Sequence, residues 1–338
     1  MGKNLGFFSR NMGIDLGTAN TIIYVKGKGI VLKEPSVVAV QRGTGQVLAA
    51  GEEAYQMIGR TPADILILRP IRDGVISNFE TTRTMLREFI SRIYPIRFHL
   101  LPRSAVVSVS IDVTEIEKRA VIEATRQAGV KNVYLVENSI AGAMGIDLPI
   151  DENYANMIVD IGGGTTEASV ITLGGIVSKN SIRLGGEQFN EAISNFIRKK
   201  YNFLVGERTA ENVKIKIGSA LQINPKQHLE VGGTDLASRL PGRLALDSWE
   251  VGEVLSEMIS SITKIIKKTL EDTPVGLITD VMEKGIVMTG GGALLQGFHQ
   301  VVEKETNIPV SLAEHPLDSV ALGTGKMISS MAIVKKLA

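Results

Sequence analysis

The chain has 338 residues, 44% hydrophobic and 22% charged, and a net charge of +1. That length supports a large buried core and about two domains. The near-neutral balance excludes a global field that would recruit nucleic acid or an anionic membrane, so any such contact is local.

Cysteine is absent, which excludes a disulfide framework and a thiolate centre. His99, His228, His299 and His315 stand far apart, without metal-ligand spacing. No apolar run reaches the ~20 residues of a spanning helix. The opening "MGKNLGFFSR" lacks the apolar stretch and cleavage site of a signal peptide. Gly6 stands where a myristoylation signal carries Ser or Thr. These features predict a cytoplasmic protein.

In chain order, "NMGIDLGT" and "TIIYVKGKGIVLKEPSVVAV" are β-rich and broken by glycine turns. "TTRTMLREFISRIY" has a helical pattern, and "RSAVVSVS" is a buried strand. "TEIEKRAVIEATRQAG" is a helix: Thr114 and Glu117 form a capping box, Ile116, Ala120 and Ala124 share a face, and Gly129 ends it. The strand "VYLV" then runs through Glu137 and Asn138 into a helix of small residues, "SIAGAMG". After Pro149 and "DENYAN" the pattern restarts. "MIVDIGGGTTEASVITLGG" echoes "MGIDLGTANTIIYVKG", which predicts an internal duplication with a break near residue 150. "SWEVGEVLSEMISSITKIIKKTLEDT" is a long helix with an apolar stripe. "GIVMTGGGALLQGF" reads as strand, glycine turn and helix, and the last helix begins near Ser319.

Four stretches carry chemistry. In "DLGTAN" a strand ends at Asp15, and the turn exposes the amides of Gly17, Thr18 and Ala19, an anion nest. Alone it reads rather as an ordinary hairpin turn. In "DIGGGTTE", Asp160 to Glu167, three glycines let backbone approach an anion, and Thr165 and Thr166 add hydroxyls. Two such Asp-bearing turns, one per half, can grip a phosphate chain with its Mg²⁺, since hydrated Mg²⁺ uses few protein ligands. "TGGGALL", Thr289 to Leu295, lets a base or ribose lie against backbone, and it lacks the Lys-Ser/Thr ending of a P-loop. In "GERTAENVKIKIG", Glu211 and Lys214 are neighbours on one helix face, either a surface ion pair or a pair reaching ribose hydroxyls.

In this order the four resemble the actin-like ATPase superfamily and, within it, the MreB family of bacterial actin homologues. "GIDLGTANT", "KGKGIVLKEPSVVAV", "MIGRTPADI", "LRPIRDGVI", "VDIGGGTTE", "GERTAE" and "TGGGALL" carry the resemblance, which spans residues 11 to 335. It implies an α/β actin-like ATPase fold: two duplicated domains, each with a smaller subdomain, in a U shape around an ATP and Mg²⁺ cleft. Domain I would cover 1–150, with a subdomain at about 33–74 and completion by 318–338. Domain II would cover 151–317, with a subdomain at about 183–245. Gly17, Thr18, Ala19, Asn20, Gly162, Gly163, Gly164 and Thr165 would meet the phosphates. The stretch Glu211, Asn212, Val213 and Lys214 would meet ribose or adenine, and Gly290, Gly291, Gly292, Ala293 and Leu294 the nucleoside. Asp15 and Asp160 would hold the metal's water shell. "SIAGAMG" and "SVALGTGK" would be the two connecting helices, with Gly142 and Gly323 forming a hinge. The implied function is nucleotide-dependent polymerisation into membrane-attached filaments for cell shape or motility. The implied partners are other copies of the chain in paired protofilaments, the inner face of the membrane and paralogous filament proteins, with no nucleic acid.

The chain departs from the family at one place. Members read Glu-Glu-Pro where this chain reads Glu137-Asn138-Ser139. The second Glu orients and polarises the attacking water together with the threonine matching Thr165. An amide cannot act as a base near neutral pH. Losing such assistance commonly costs ~10²–10⁴-fold in rate. ATP binding is expected to survive and hydrolysis to be severely slowed or absent. Two other readings compete: Glu137 supplies the carboxylate instead, or the Asn138 change is catalytically neutral; Ser139 can cap the helix start. By resemblance alone, the change points to a specialised paralogue such as those of wall-less helical bacteria.

Leu5, Phe7 and Phe8 lie between Lys3 and Arg10, and Ile96, Phe98, Leu100 and Leu101 lie in a Pro-bounded loop where the family has its membrane-inserting loop. Each buried Phe or Leu contributes only ~1.5–3 kcal/mol, so attachment would depend on assembly. The alternative class is a soluble actin-fold phosphotransferase or chaperone-type ATPase. The first would need a substrate-binding insertion and a catalytic Asp, and the second a separate peptide-binding domain.

Overall fold

The computed structural model describes residues 11–94, 104–222 and 224–330. The chain divides into two compact units. The first takes in the chain up to Tyr55, Ile65–Asp147 and the chain from Asp318; the second takes in Gln56–Asp64 and Leu148–Leu317.

The first unit is built on β1 (Asn11–Leu16), β2 (Asn20–Val25), β3 (Gly29–Pro35), β9 (Ser104–Val109) and β10 (Asn132–Glu137), in the order β10-β9-β1-β2-β3. The first two hairpin connections are antiparallel, and β9 and β10 run parallel to β1. A smaller sheet joins β4 (Val38–Gln41), β5 (Val47–Ala50) and β6 (Ile65–Leu68), and β7 (Ile71–Arg72) pairs with β8 (Val75–Ile76). The short helix α1 (Glu52–Gln56) follows β5. Helix α2 (Phe79–Ile93) begins two residues before the apolar pattern suggests, because Asn78 caps it through Thr81 N–H.

Helix α3 (Glu115–Gln127) has the expected capping box from Thr114 and Glu117. Of the three residues expected on one face, Ala124 is buried, Ala120 is half-buried and Ile116 is 79% exposed. The helix buries Val121 and Thr125 beside Ala124, so the seam runs along that row and Ile116 in the first turn falls outside it.

The second unit repeats the sheet plan. Its strands are β11 (Asn156–Ile161), β12 (Thr166–Thr172), β13 (Gly175–Ile182), β17 (Ile286–Thr289) and β18 (Val310–Leu312), in the order β13-β12-β11-β17-β18. Again two antiparallel hairpins are followed by parallel strands. The same order and the same directions in both sheets are the structural form of the duplication. A three-stranded sheet adds β14 (Phe203–Leu204), β15 (His228–Asp235) and β16 (Pro241–Asp247). Around them lie α5 (Gly186–Tyr201), α6 (Glu207–Ile217), α7 (Ser248–Glu271), α8 (Val275–Lys284) and α9 (Phe298–Thr306). The apolar stripe of α7 is core, with Val251, Leu255, Ile259, Ile262 and Ile266 buried.

Helices α4 (Asn138–Gly145) and α10 (Ser319–Ser329) cross almost backbone to backbone. A Cβ on Gly323 would stand 1.7 Å from the Ala141 carbonyl oxygen, and one on Gly145 1.8 Å from that of Ser319. On α4 the close approaches therefore fall at Ala141, next to Gly142, and at Gly145, and on α10 at the expected Gly323. Lys326 fastens the pair by donating to the Met144 and Gly145 carbonyls, each at 3.0 Å. This also neutralises the negative end of α4.

Candidate functional site

In the first unit, β1 delivers Asp15 to the sheet end, and the turn after it closes with the Gly17 N–H donating to the Asn20 carbonyl, 3.1 Å. A Cβ at Gly17 would meet that same oxygen at 2.7 Å, so the turn requires glycine there. The buried Ser36 hydroxyl donates to the Gly17 carbonyl, 2.7 Å, and pairs with Thr21 Oγ1, 2.9 Å. Its own N–H donates to the Ala19 carbonyl, 2.9 Å. The Thr18 side chain is buried and accepts from the Gly74 N–H, 3.1 Å. Thr18 therefore braces the turn by accepting through its hydroxyl oxygen. Ser108 Oγ, from β9, donates to Asp15 Oδ1, 3.1 Å.

In the second unit, β11 delivers Asp160, and its turn closes the same way: the Gly162 N–H donates to the Thr165 carbonyl, 2.8 Å. The support differs. The first amides of α5 point at the turn, Gly186 N–H to the Gly162 carbonyl at 3.0 Å and Glu187 N–H to the Gly163 carbonyl at 2.7 Å. A Cβ on Gly185 would stand 2.6 Å from the Gly162 oxygen. Gln188 Oε1 accepts from the Gly185 N–H, 2.8 Å, and fixes the entry to α5. Asp160 is buried, and burial pushes its carboxyl up to about 6.

Beside Asp160, β17 ends at Thr289, in register with it. Gly290 follows in the left-handed region, φ +81°, and a Cβ there would stand 2.5 Å from Asp160 Oδ1 and 2.4 Å from the Ile161 oxygen. Gly291–Leu294 form a short 3-10 turn, with Ala293 buried and Leu294 exposed. The glycines thus pack the turn against Asp160 and Ile161, a role their sequence pattern did not reveal.

On α6, Val213 is fully buried in the core, so only its backbone is available to a ligand. Asn212 is exposed, and Glu211 and Lys214 are half-buried. Lys214 Nζ donates to the Gly186 carbonyl, 2.9 Å, at the base of α5. Desolvation lowers its pKa, while the Glu211 and Glu187 carboxylates oppose the shift. Lys214 is therefore no free surface cation; it ties α6 to the glycine pair that supports the second turn.

At the strand–helix junction, Glu137 is the last residue of β10, in register with Val109, and has extended backbone. Asn138 is the first residue of α4. The two sit on opposite sides of a change in backbone direction, both half-buried. Ser139 does not cap the helix: it is fully buried inside it, and Glu137 occupies the cap position without a side-chain cap bond.

Sequence reasoning missed Ser36, Ser108, Gly185 and Gly186. Only the "GG" of "RLGGEQF" was a local signal. The two serines act across the fold and leave no spacing to read. Leu5, Phe7 and Phe8, and Ile96, Phe98, Leu100 and Leu101, lie outside the described residues. Among the described residues no helix is long and apolar enough to cross a membrane, and no group of three or more acidic or His side chains forms a metal cage.

The chain matches the MreB/Mbl protein family over residues 9–336. It is 44% identical over 324 residues to cell shape-determining protein Mbl of Bacillus subtilis (strain 168), covering 96% of this chain and 97% of that one. Cell shape-determining protein MreB of Escherichia coli (strain K12) is 45% identical over 330 residues, covering 96% and 95%. The fold superposes on MreB5 of Spiroplasma citri, solved bound to ADP and bound to AMPPNP, with a TM-score of 0.90, 33% identity, and 96% and 97% coverage. With its two sheets of one plan, this chain belongs to the MreB/Mbl family and has the actin-like fold.

Proposed function

We propose that the chain binds an adenine nucleotide with Mg²⁺, assembles with copies of itself into filaments on the inner face of the membrane, and hydrolyses ATP very slowly or not at all. The observation that carries the nucleotide reading is the repeated turn: an aspartate at a strand end, then a glycine turn closed by one backbone hydrogen bond, once in each unit. The Gly17 and Gly162 amides are spent on closing the turns, which leaves the following amides, Thr18 to Asn20 in one and Gly163 to Thr165 in the other, to serve phosphate oxygens. The similar MreB5 protein supports the reading, because it was solved with ADP and with AMPPNP.

Glu211 and Lys214 would serve the ribose, and the Gly290–Leu294 turn the nucleoside. Asp15 and Asp160 fit a hydrated Mg²⁺: both are carboxylates at strand ends, and Asp160 is raised by burial alone, so a nearby cation would favour its charged form. Bound there, Mg²⁺ would neutralise charge on the phosphate oxygens.

Asn138 is the residue for hydrolysis. Its amide can hold a water but cannot take its proton, whereas Thr165 can still contribute a hydroxyl. Glu137 lies on the strand side of the junction, at the cap position one residue before Asn138, and is the alternative source of a carboxylate. Positioning and electrostatics carry much of phosphoryl transfer, which keeps binding while turnover falls.

Filament formation is supported by membership in a family whose relatives are named cell shape-determining proteins. The role in shape or motility, pairing of protofilaments, paralogous partners and attachment through Phe98 and Leu101 belong to the same proposal. The test is electron microscopy of the purified chain with ATP, alongside titration of a fluorescent nucleotide. Filaments and saturable binding are expected. Binding without filaments across salt conditions would favour a soluble actin-fold ATPase, and absence of binding would end the reading.

A further inference from the structure

In the second unit, a run of peptide groups joins α6 to the turn after Asp160. Lys214 Nζ donates to the Gly186 carbonyl, 2.9 Å. That carbonyl shares a planar peptide group with the Glu187 N–H, which donates to the Gly163 carbonyl, 2.7 Å. The Gly163 carbonyl shares the next peptide group with the Gly164 N–H, one of the amides left to serve phosphate oxygens. The run thus starts at an ammonium and ends at an amide of the phosphate turn. A second bond runs beside it, from the Gly186 N–H to the Gly162 carbonyl, 3.0 Å, directly behind the Gly163 N–H.

A donor at one end of such a chain strengthens the donor at the other, by roughly 10–30% per bond. A charged donor does so more than a neutral one, because hydrogen bonds with an ionised partner are about twice as strong. Lys214 is placed to act this way. Its helix is a fixed base, with Ala210, Val213 and Ile217 buried in the core. Its amine is desolvated, which strengthens its field, and the carboxylates of Glu211 and Glu187 favour its charged form. The fit is close: a Cβ on Gly186 would stand 3.2 Å from Nζ.

The Gly290–Leu294 turn also bears on this turn, but through glycine. A Cβ on Gly290 would stand 2.4 Å from the Ile161 oxygen, so that contact is backbone against backbone and does not turn. Lys214 is a side chain with rotatable bonds and three N–H donors, of which the Gly186 carbonyl takes one. It can therefore meet a ribose hydroxyl and hold the peptide run at the same time.

We infer that Lys214 is a positioning residue for the phosphates: through the Gly186–Glu187 peptide it orients and polarises the Gly164 amide, and so couples the ribose end of the site to the phosphate end. The inference rests on the nucleotide reading and gives Lys214 a second task within it. A ribose hydroxyl that steadies Nζ steadies the run, and a phosphate oxygen that draws on the Gly164 N–H draws on Nζ. Binding at either end then raises affinity at the other by the same factor. The first turn works otherwise, since its braces are Ser36, Thr18 and Ser108, and the nucleoside reading uses none of them.

The test uses the full chain with Mg²⁺ and two half-ligands, inorganic tripolyphosphate and adenosine, with affinities read by isothermal titration calorimetry. In the parent chain, saturating adenosine should tighten tripolyphosphate at least about fivefold, the low end of an ordinary coupling. Lys214→Met keeps the stem and removes the ammonium. It should weaken tripolyphosphate alone about fivefold, the loss of one hydrogen bond, and bring the adenosine effect close to none. Ser36→Ala should weaken tripolyphosphate and keep the adenosine effect; losing the effect there too would assign it to a general loosening of the site and overturn the relay. Unchanged tripolyphosphate affinity in Lys214→Met would leave Lys214 a ribose contact only. A parent chain that binds ADP but shows no tightening by adenosine would overturn the inference and leave the nucleotide reading standing, whereas one that does not bind ADP would sink both. Should Lys214→Met fail to fold, Gly186→Ala reaches the same bond from the other side, because its Cβ crowds Nζ. A smaller adenosine effect is expected there, and an undiminished one would count against the relay.

Discussion

In the first unit, the turn after Asp15 is held by side-chain hydroxyls reaching across the fold: Ser36 to the Gly17 carbonyl, Ser108 to Asp15, and Thr18 taking the Gly74 amide. In the second, the turn after Asp160 is held by backbone, the opening amides of α5 on the Gly162 and Gly163 carbonyls. The closing hydrogen bond is the same in both. Duplication preserved the turn, and each half found its own brace. The consequence is that the brace of the second turn should break through substitution of Gly185, and the brace of the first through loss of hydroxyls.

The largest effect is expected at Gly185→Ala. Its Cβ would meet backbone atoms of Gly162 and Gly163 at 2.6 to 2.8 Å, and neither the turn nor the helix can yield cheaply. A loss of about 3 kcal/mol in stability is expected from such overpacking, read by chemical denaturation, together with weakened nucleotide binding. An unchanged denaturation midpoint would show that the α5 brace is dispensable.

Asp160 sharpens the comparison through pH. Its folded pKa, about 6, lies above the ordinary value of 3.8 because burial disfavours the charge. The fold therefore favours the protonated form. That contribution is present in full below pH 3.8 and is lost as pH rises through about 6. At neutral pH the buried charge costs up to roughly 3 kcal/mol in the nucleotide-free, chelated protein. Asp160→Asn should stabilise that form at pH 7.5 and change little at pH 4. Equal stabilisation at both would place the effect elsewhere.

The smallest effect is expected in the first turn. Ser36→Ala removes one hydroxyl that serves Gly17 and Thr21, worth about 1 kcal/mol, or about fivefold in nucleotide affinity. A loss larger than that of Gly185→Ala would reverse the proposed order of the two braces.

Much of this was legible in the sequence, and the boundary has a physical basis. The turns after Asp15 and Asp160, the α3 capping box and the long α7 stripe depend on residues within a few positions of one another, so spacing reveals them. The family strings extended that to the fold. Ser36, Ser108 and Lys214 act on residues far away in the chain, and no local pattern announces them. Ile116 stays exposed although it shares a face with Ala124, because an apolar residue in a first turn satisfies helical spacing whether or not a partner lies opposite. The Gly145–Ser319 approach needed both helices in place to be seen.

The central claim is that Asn138 leaves ATP binding intact and removes most of its hydrolysis. Phosphate release from the assembled chain, measured beside its Asn138→Glu variant at equal nucleotide occupancy, tests it most directly. The account predicts little or no release from the parent chain and at least about a hundredfold more from the variant, the lower end of what a general base contributes. Brisk release from the parent, unchanged by the substitution, would contradict it.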